Sequence, residues 1–375
     1  MKPDDEFTLT VDRDAGGLPL TLRRFARVRE QGAPRVALLL HGGNSAGDTF
    51  LLPKGGLTAH LVERGFEVWI LDWRTSPRVV APLLKRGPLG GSFEAERRLY
   101  ALDHAAKEDV TQAVSEVRRH IGDAELGVVG HCMGGGAASI AIATGKLQGL
   151  GVTSVVLSTL GLFYEVPWNG WMKAEDFIVE RVPGEDPTCR GIDPRAPETW
   201  PRAMKNAYGY WPRAWLPRGA SRADSMLQHL TFMFGQPYDA ARLEPSIGGG
   251  ELLDQFGPMH LGLFLHAAEL VRRGYAAELG APDVIDRPRL DAKHRAPVPG
   301  HYLHPAHFHE HRMTLLTAGD NQLWHRDAMD LMHEWLLSHG ARSEKRVFPG
   351  YRIQELFWGA RAASDVYPVI HRALL

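Results

Sequence analysis

The apolar run Leu126 to Val129 ends in Gly130-His131-Cys132-Met133-Gly134-Gly135-Gly136, and small residues continue as a helix through Ala143. A buried strand that turns within a few residues into a helix leaves little room at the turn, so glycines at 130 and 134 are expected to flank a strained Cys132. Gly135 and Gly136 let helix and strand approach closely. Such a turn lifts the side chain at its apex above the edge of a sheet, where the Met133 amide and the helix N-terminus face it and favour a thiolate.

The surrounding pattern supplies that sheet. Phe7 to Val11 and Leu18 to Phe25 alternate as a hairpin, whereas Arg35 to Leu40, Phe66 to Leu71 and Val152 to Leu157 are near-continuous apolar runs, as in parallel strands covered on both faces. Helical spacing fits Leu57 to Arg64 and Asp109 to Ile121 between them. From about Leu160 the strand rhythm gives way to tryptophans and tyrosines set among prolines and glycines, which predicts a helical cap over 160–286 inserted between core segments 1–159 and 287–375. The sheet pattern resumes at Met313 to Thr317 and Lys345 to Phe348, with helices predicted around Met329 to Leu337 and from Ala360 to Ala373. The expected class is α/β, with a mostly parallel central sheet flanked by helices and a helical cap.

A second motif supports the first. Leu40-His41-Gly42-Gly43-Asn44 closes the first parallel strand, where such sheets place a second backbone donor for an oxyanion, and the Gly43 amide is the preferred partner of Met133. A buried small cysteine in a degenerate turn is the plainer alternative.

Charge and cysteine content limit the partners. Lys plus Arg number 43 against 44 Asp plus Glu, so no net field favours nucleic acid or an anionic membrane. The polar N-terminus does not read as a secretory signal, no apolar stretch is long enough to span a bilayer, and two cysteines fit a reducing compartment, so a cytoplasmic chain is expected. No cofactor is expected. The histidine run 301, 304, 307, 309, 311 lacks a carboxylate-rich companion motif, so no metal site is assigned.

On these residues the chain resembles the α/β-hydrolases that occur alone or fused to cholesterol-oxidase-type flavoenzymes, and more distantly acid lipases and cysteine-dependent polyhydroxyalkanoate synthases. The matching segments are His41-Gly42-Gly43, Gly65 to Arg74, Val129 to Gly134, Leu230 to Gly235, Pro349-Gly350-Tyr351 and Asp365-Val366-Tyr367-Pro368. The resemblance implies the α/β-hydrolase fold, a cap, Cys132 as nucleophile, a small hydrophobic acyl or lipid-like substrate and, by analogy, an oxidoreductase partner. The chain departs from the pattern in two places. Ile353 stands where the catalytic histidine belongs, and Asn321 fills the usual carboxylate slot with Asp320 one residue early, so Asp320 is the expected acid. His260 in the cap is a candidate replacement base, and Asn44 and Arg352 are candidate substrate contacts. The cap aromatics, with Met172, Met204, Met226 and Met233, are candidates for an apolar cavity wall.

The function expected is therefore a cysteine-dependent acyl hydrolase or acyltransferase with an atypical triad. The alternative is a non-hydrolytic lyase, isomerase or cyclase, or a binding protein.

Overall fold

In a computed structural model, which describes residues 1–26, 35–176, 178–219, 221–282 and 299–375, the core is one eight-stranded sheet. Its strands are β1 (Asp5–Val11), β2 (Leu18–Phe25), β3 (Arg35–Leu40), β4 (Phe66–Asp72), β5 (Leu126–His131) and β6 (Val152–Ser158), then, beyond a small ladder of β7 (Gly191–Ile192) and β8 (Met259–His260), β9 (Arg312–Ala318) and β10 (Ser343–Phe348). The spatial order is β1-β2-β4-β3-β5-β6-β9-β10. The β1–β2 hairpin joins antiparallel to β4, and every pairing from β4 to β10 is parallel.

The apolar runs behave as their composition requires. All of β4 and β5 is buried, because helices cover both faces of a parallel sheet. Full burial of side chains such as Trp69, Ile70 and Leu71 contributes roughly 1.5–3 kcal/mol each. Register then fixes the site: Leu40 of β3 lies opposite Gly130 of β5, and Ser158 of β6 opposite both His131 and Leu316 of β9. The loops after β3, β5 and β9 therefore meet at the carboxyl edge of the sheet, at the switch in strand order where open α/β sheets build their clefts.

Between β6 and β9 the described chain is mainly helical, with helices Trp168–Glu175, Arg181–Glu185, Arg202–Tyr210, Arg222–Phe234, Gly249–Gln255 and Leu261–Arg273. The predicted cap boundary at 286 lies outside the described residues. Three local expectations change. The β7–β8 ladder interrupts a segment read as free of strands. The helix read from Asp109 begins earlier, at Leu102, and passes through a wider turn over Ala106–Val110, where the buried Asp109 carboxylate accepts hydrogen bonds from the Arg74 amide at 3.0 Å and Nε at 2.8 Å. The single final helix expected from Ala360 is instead two pieces, Ala362–Asp365 and Tyr367–Ala373, and a further short helix, Glu355–Trp358, precedes them. Gly359 leaves the helical region at ψ 146°, and Pro368 has no amide to continue the ladder. Among the described residues no helix is long and apolar enough to cross a membrane.

Candidate active site

Cys132 sits between β5 and the helix Met133–Ala143 at φ +53°, ψ −127°, a strained region for a residue with a side chain. The flanking glycines make the turn possible. A Cβ on Gly134 would lie 2.5 Å from the Leu40 and His41 carbonyl oxygens, and one on Gly130 would lie 2.7 Å from the Gly134 oxygen. The Cys132 amide donates to the Ser158 carbonyl at 2.9 Å, and its own carbonyl accepts from the Gly135 amide at 2.8 Å, so strand register holds the apex.

Three donors converge on the Cys132 sulfur. The Trp324 indole Nε1 donates to Sγ at 3.2 Å, and the Gly43 and Met133 amides lie near enough to the same atom to pull its pKa down. Burial nevertheless dominates and holds the thiol above its ordinary pKa, against the downward pull of Trp324, Met133 and Gly43. The sequence-based expectation of a favoured thiolate is thereby corrected: the donors act in the expected direction, but desolvation of the charged form outweighs them.

The loop carrying Gly43 is stiffened from below. The buried His41 ring pairs through Nδ1 with the Gly42 carbonyl at 2.7 Å, and the Trp73 indole donates to the His41 carbonyl at 3.1 Å. Burial brings His41 down to about 4, so it is neutral. The adjoining Asp72 accepts from Arg23 at 2.9 Å, the Gly47 amide at 2.9 Å and Ser76 at 2.8 Å. His131 points beneath the turn, paired with Ser158 Oγ at 3.1 Å and edge-on to Phe357, and burial brings it down to about 3.

The other candidates are placed as follows. Ile353 is buried, in the apolar cluster that also holds Cys132. Asp320 turns outward, 46% exposed, in an ion pair with Arg242 at 3.0 Å; it does not face Cys132. Asn321 instead accepts from the Leu323 and Trp324 amides at 3.0 and 3.3 Å, so the loop that would present an acid presents an indole. His260 has both ring nitrogens engaged, Nε2 with Glu96 at 2.8 Å and Nδ1 with the Gly262 amide at 3.1 Å, and it stacks on Tyr100; it is not free to act as a base. Asn44 accepts from the Gly257 amide at 3.3 Å, a tie to the insertion rather than a face of the cavity. Arg352 reaches the Tyr238 carbonyl at 3.4 Å and borders a separate polar hollow with Asp320 and His325. Among the described residues no three His, Cys, Asp or Glu side chains are grouped as metal ligands.

Cys132 opens onto an apolar cavity. Gly43, Met133, Leu323 and Trp324 line it from the sheet side, and Met204, Met233, Met259 and Phe264 line it from the insertion. Of the four candidate methionines only Met204 and Met233 reach it. None of the candidate tryptophans and tyrosines lines it; Trp168 packs on Trp171 and Trp211 against Trp215 and Phe232. Trp324 was not a sequence candidate, because its role depends on Asn321 capping the turn that precedes it.

No sequence-family model matches the chain, and no curated protein matches it. Solved structures do. A thermostable carboxyl esterase from Bacillus coagulans aligns over 100% of both chains at 13% identity and TM-score 0.60. A lipase in its open form aligns over 99% of this chain and 97% of its own at 14% identity and TM-score 0.59, and a monoglyceride lipase from Saccharomyces cerevisiae over 100% and 95% at 15% identity and TM-score 0.56. The alignments span nearly the whole chain, and with the parallel strand order and the elbow after β5 they establish that the chain has the α/β-hydrolase fold.

Proposed function

We propose that the protein is a cysteine-dependent acyl hydrolase or acyltransferase acting on an ester or thioester of a hydrophobic acid, with residues 160–286 serving as a cap between core segments 1–159 and 287–375. The observation that carries this reading is Cys132 Sγ at the wall of an apolar cavity, in a strained elbow, with the Gly43 and Met133 amides directed at it. Attack of the sulfur on a bound carbonyl forms an S–C bond, and the developing oxyanion is met by the same two amides. Collapse expels the alcohol or thiol, which leaves with the proton that Cys132 gives up, and an acyl-Cys132 thioester remains. Water or a second nucleophile then takes the acyl group.

The described cavity wall holds no imidazole and no carboxylate, which favours transfer between thiols over hydrolysis, since hydrolysis must activate water. The same fact, with Ile353 in the histidine slot, supports a second reading: a non-hydrolytic or binding protein that keeps the cavity and has lost the triad. A cytoplasmic setting is consistent with both cysteines being free, and an oxidoreductase partner rests on the sequence resemblance. Intact-mass spectrometry after incubation with acyl thioesters and p-nitrophenyl esters decides between the readings. An acyl adduct on the wild type and none on Cys132→Ala supports the first; no adduct and no turnover on any ester overturns it.

A further inference from the structure

One charged side chain breaks the apolar wall. Lys173, on the helix Trp168–Glu175 of the insertion, lines the same cavity as Cys132, and among the described residues it is the only acidic or basic one that does. Its Nζ donates to the Phe232 carbonyl at 2.7 Å and lies 4.9 Å from the centroid of the Trp211 ring. An ammonium has three N–H donors, so one is used. Among the described residues no carboxylate pairs with it. An ammonium held in apolar surroundings without a counter-ion is costly unless something of opposite charge joins it. Burial already draws Lys173 down to about 7, and an incoming anion would restore its charge.

We infer that the cavity takes an aliphatic acyl compound bearing a carboxylate, and that Lys173 is the specificity-determining residue that pairs with that carboxylate while the acyl carbonyl lies at Cys132. This rests on the proposed use of the cavity as the substrate site. The remaining wall, with Val166, Ile178, Val271 and Leu263, suits the chain between the two polar ends. The Phe232 carbonyl and the Trp211 ring hold the ammonium in place, so the ion pair forms with little loss of side-chain freedom.

The test is calorimetric titration of the Cys132→Ala protein, in which no acyl transfer occurs, with monomethyl suberate and with dimethyl suberate. The half-ester is expected to bind at least tenfold tighter, and Lys173→Met is expected to remove that preference. Equal affinity for the two compounds, or a preference that survives in Lys173→Met, overturns the inference. If Lys173→Met fails to fold, the comparison of the two compounds on the protein with Lys173 intact still decides it. A preference for the half-ester in a protein whose wild type forms no acyl adduct would sink the acyl-transfer reading and leave the Lys173 assignment standing.

Discussion

The indole Nε1 of Trp324 donates to Cys132 Sγ at 3.2 Å, from a loop in which Asn321 caps the turn and Asp320 faces solvent. An indole is a donor only, so it stabilises the thiolate but cannot take the proton. Trp324→Phe keeps most of the ring and removes the hydrogen bond, worth about 1 kcal/mol. The thiol pKa is expected to rise and alkylation by iodoacetamide at pH 8 to slow roughly fivefold. The readout is the pH profile of alkylation by intact mass in a Cys189→Ser background; an unshifted profile would show that Trp324 only packs there.

The sequence resemblance sets Ile353 where a catalytic histidine is expected, so under the proposed function Ile353→His supplies an imidazole to activate water. Release of a preformed acyl group from Cys132 is expected to accelerate about 100-fold, while burying the ring costs roughly 1–3 kcal/mol. Single-turnover deacylation measures the first and thermal unfolding the second. A folded variant with unchanged deacylation would place residue 353 out of reach of the acyl carbonyl.

Gly134→Ala puts a Cβ against two backbone oxygens, Leu40 and His41, at 2.5 Å, atoms that strand pairing prevents from moving. Destabilisation of about 3 kcal/mol is expected in urea unfolding, together with loss of any Cys132 acylation. By contrast, Gly149→Ala, whose Cβ meets nothing within 4 Å but whose φ is +72°, tests backbone strain alone and is expected to cost about 1 kcal/mol. Similar losses for both would mean that crowding at the elbow is minor.

The buried Glu96 accepts from His260 at 2.8 Å, from Arg190 at 2.7 and 2.8 Å and from the Leu89 amide at 2.6 Å. Burial pushes its carboxyl up, but these hydrogen bonds outweigh burial and leave it at about 2. With a depressed folded pKa the contribution is complete above the ordinary glutamate value and is lost as pH falls from about 4.5 towards 2. Buried His260, also lowered, adds a loss of the same sign that begins near its ordinary pKa. Glu96→Gln is expected to cost about 3 kcal/mol at pH 7, because Arg190 loses its counter-ion, and to flatten the stability profile below pH 5. A variant that keeps the full acid slope would exclude Glu96 as its source.

The sequence by itself determined the sheet and the elbow, because both follow from local rules. Uninterrupted apolar runs such as Phe66 to Leu71 demand cover on two faces, and Gly130 and Gly134 are the residues a strand-to-helix turn of that tightness needs. It also shows isoleucine at position 353, where the resemblance implies a histidine. Tertiary structure decided everything that depends on where a side chain is turned. Asp320 is spent on Arg242 and His260 on Glu96, pairings across 78 and 164 positions of chain that no spacing rule reaches. The same holds for Trp324 against Cys132, 192 positions apart, and for the lone ammonium of Lys173 in the cavity that Cys132 shares. The net state of the thiol was a balance of burial against three donors, and burial exists only once the insertion has folded over the sheet.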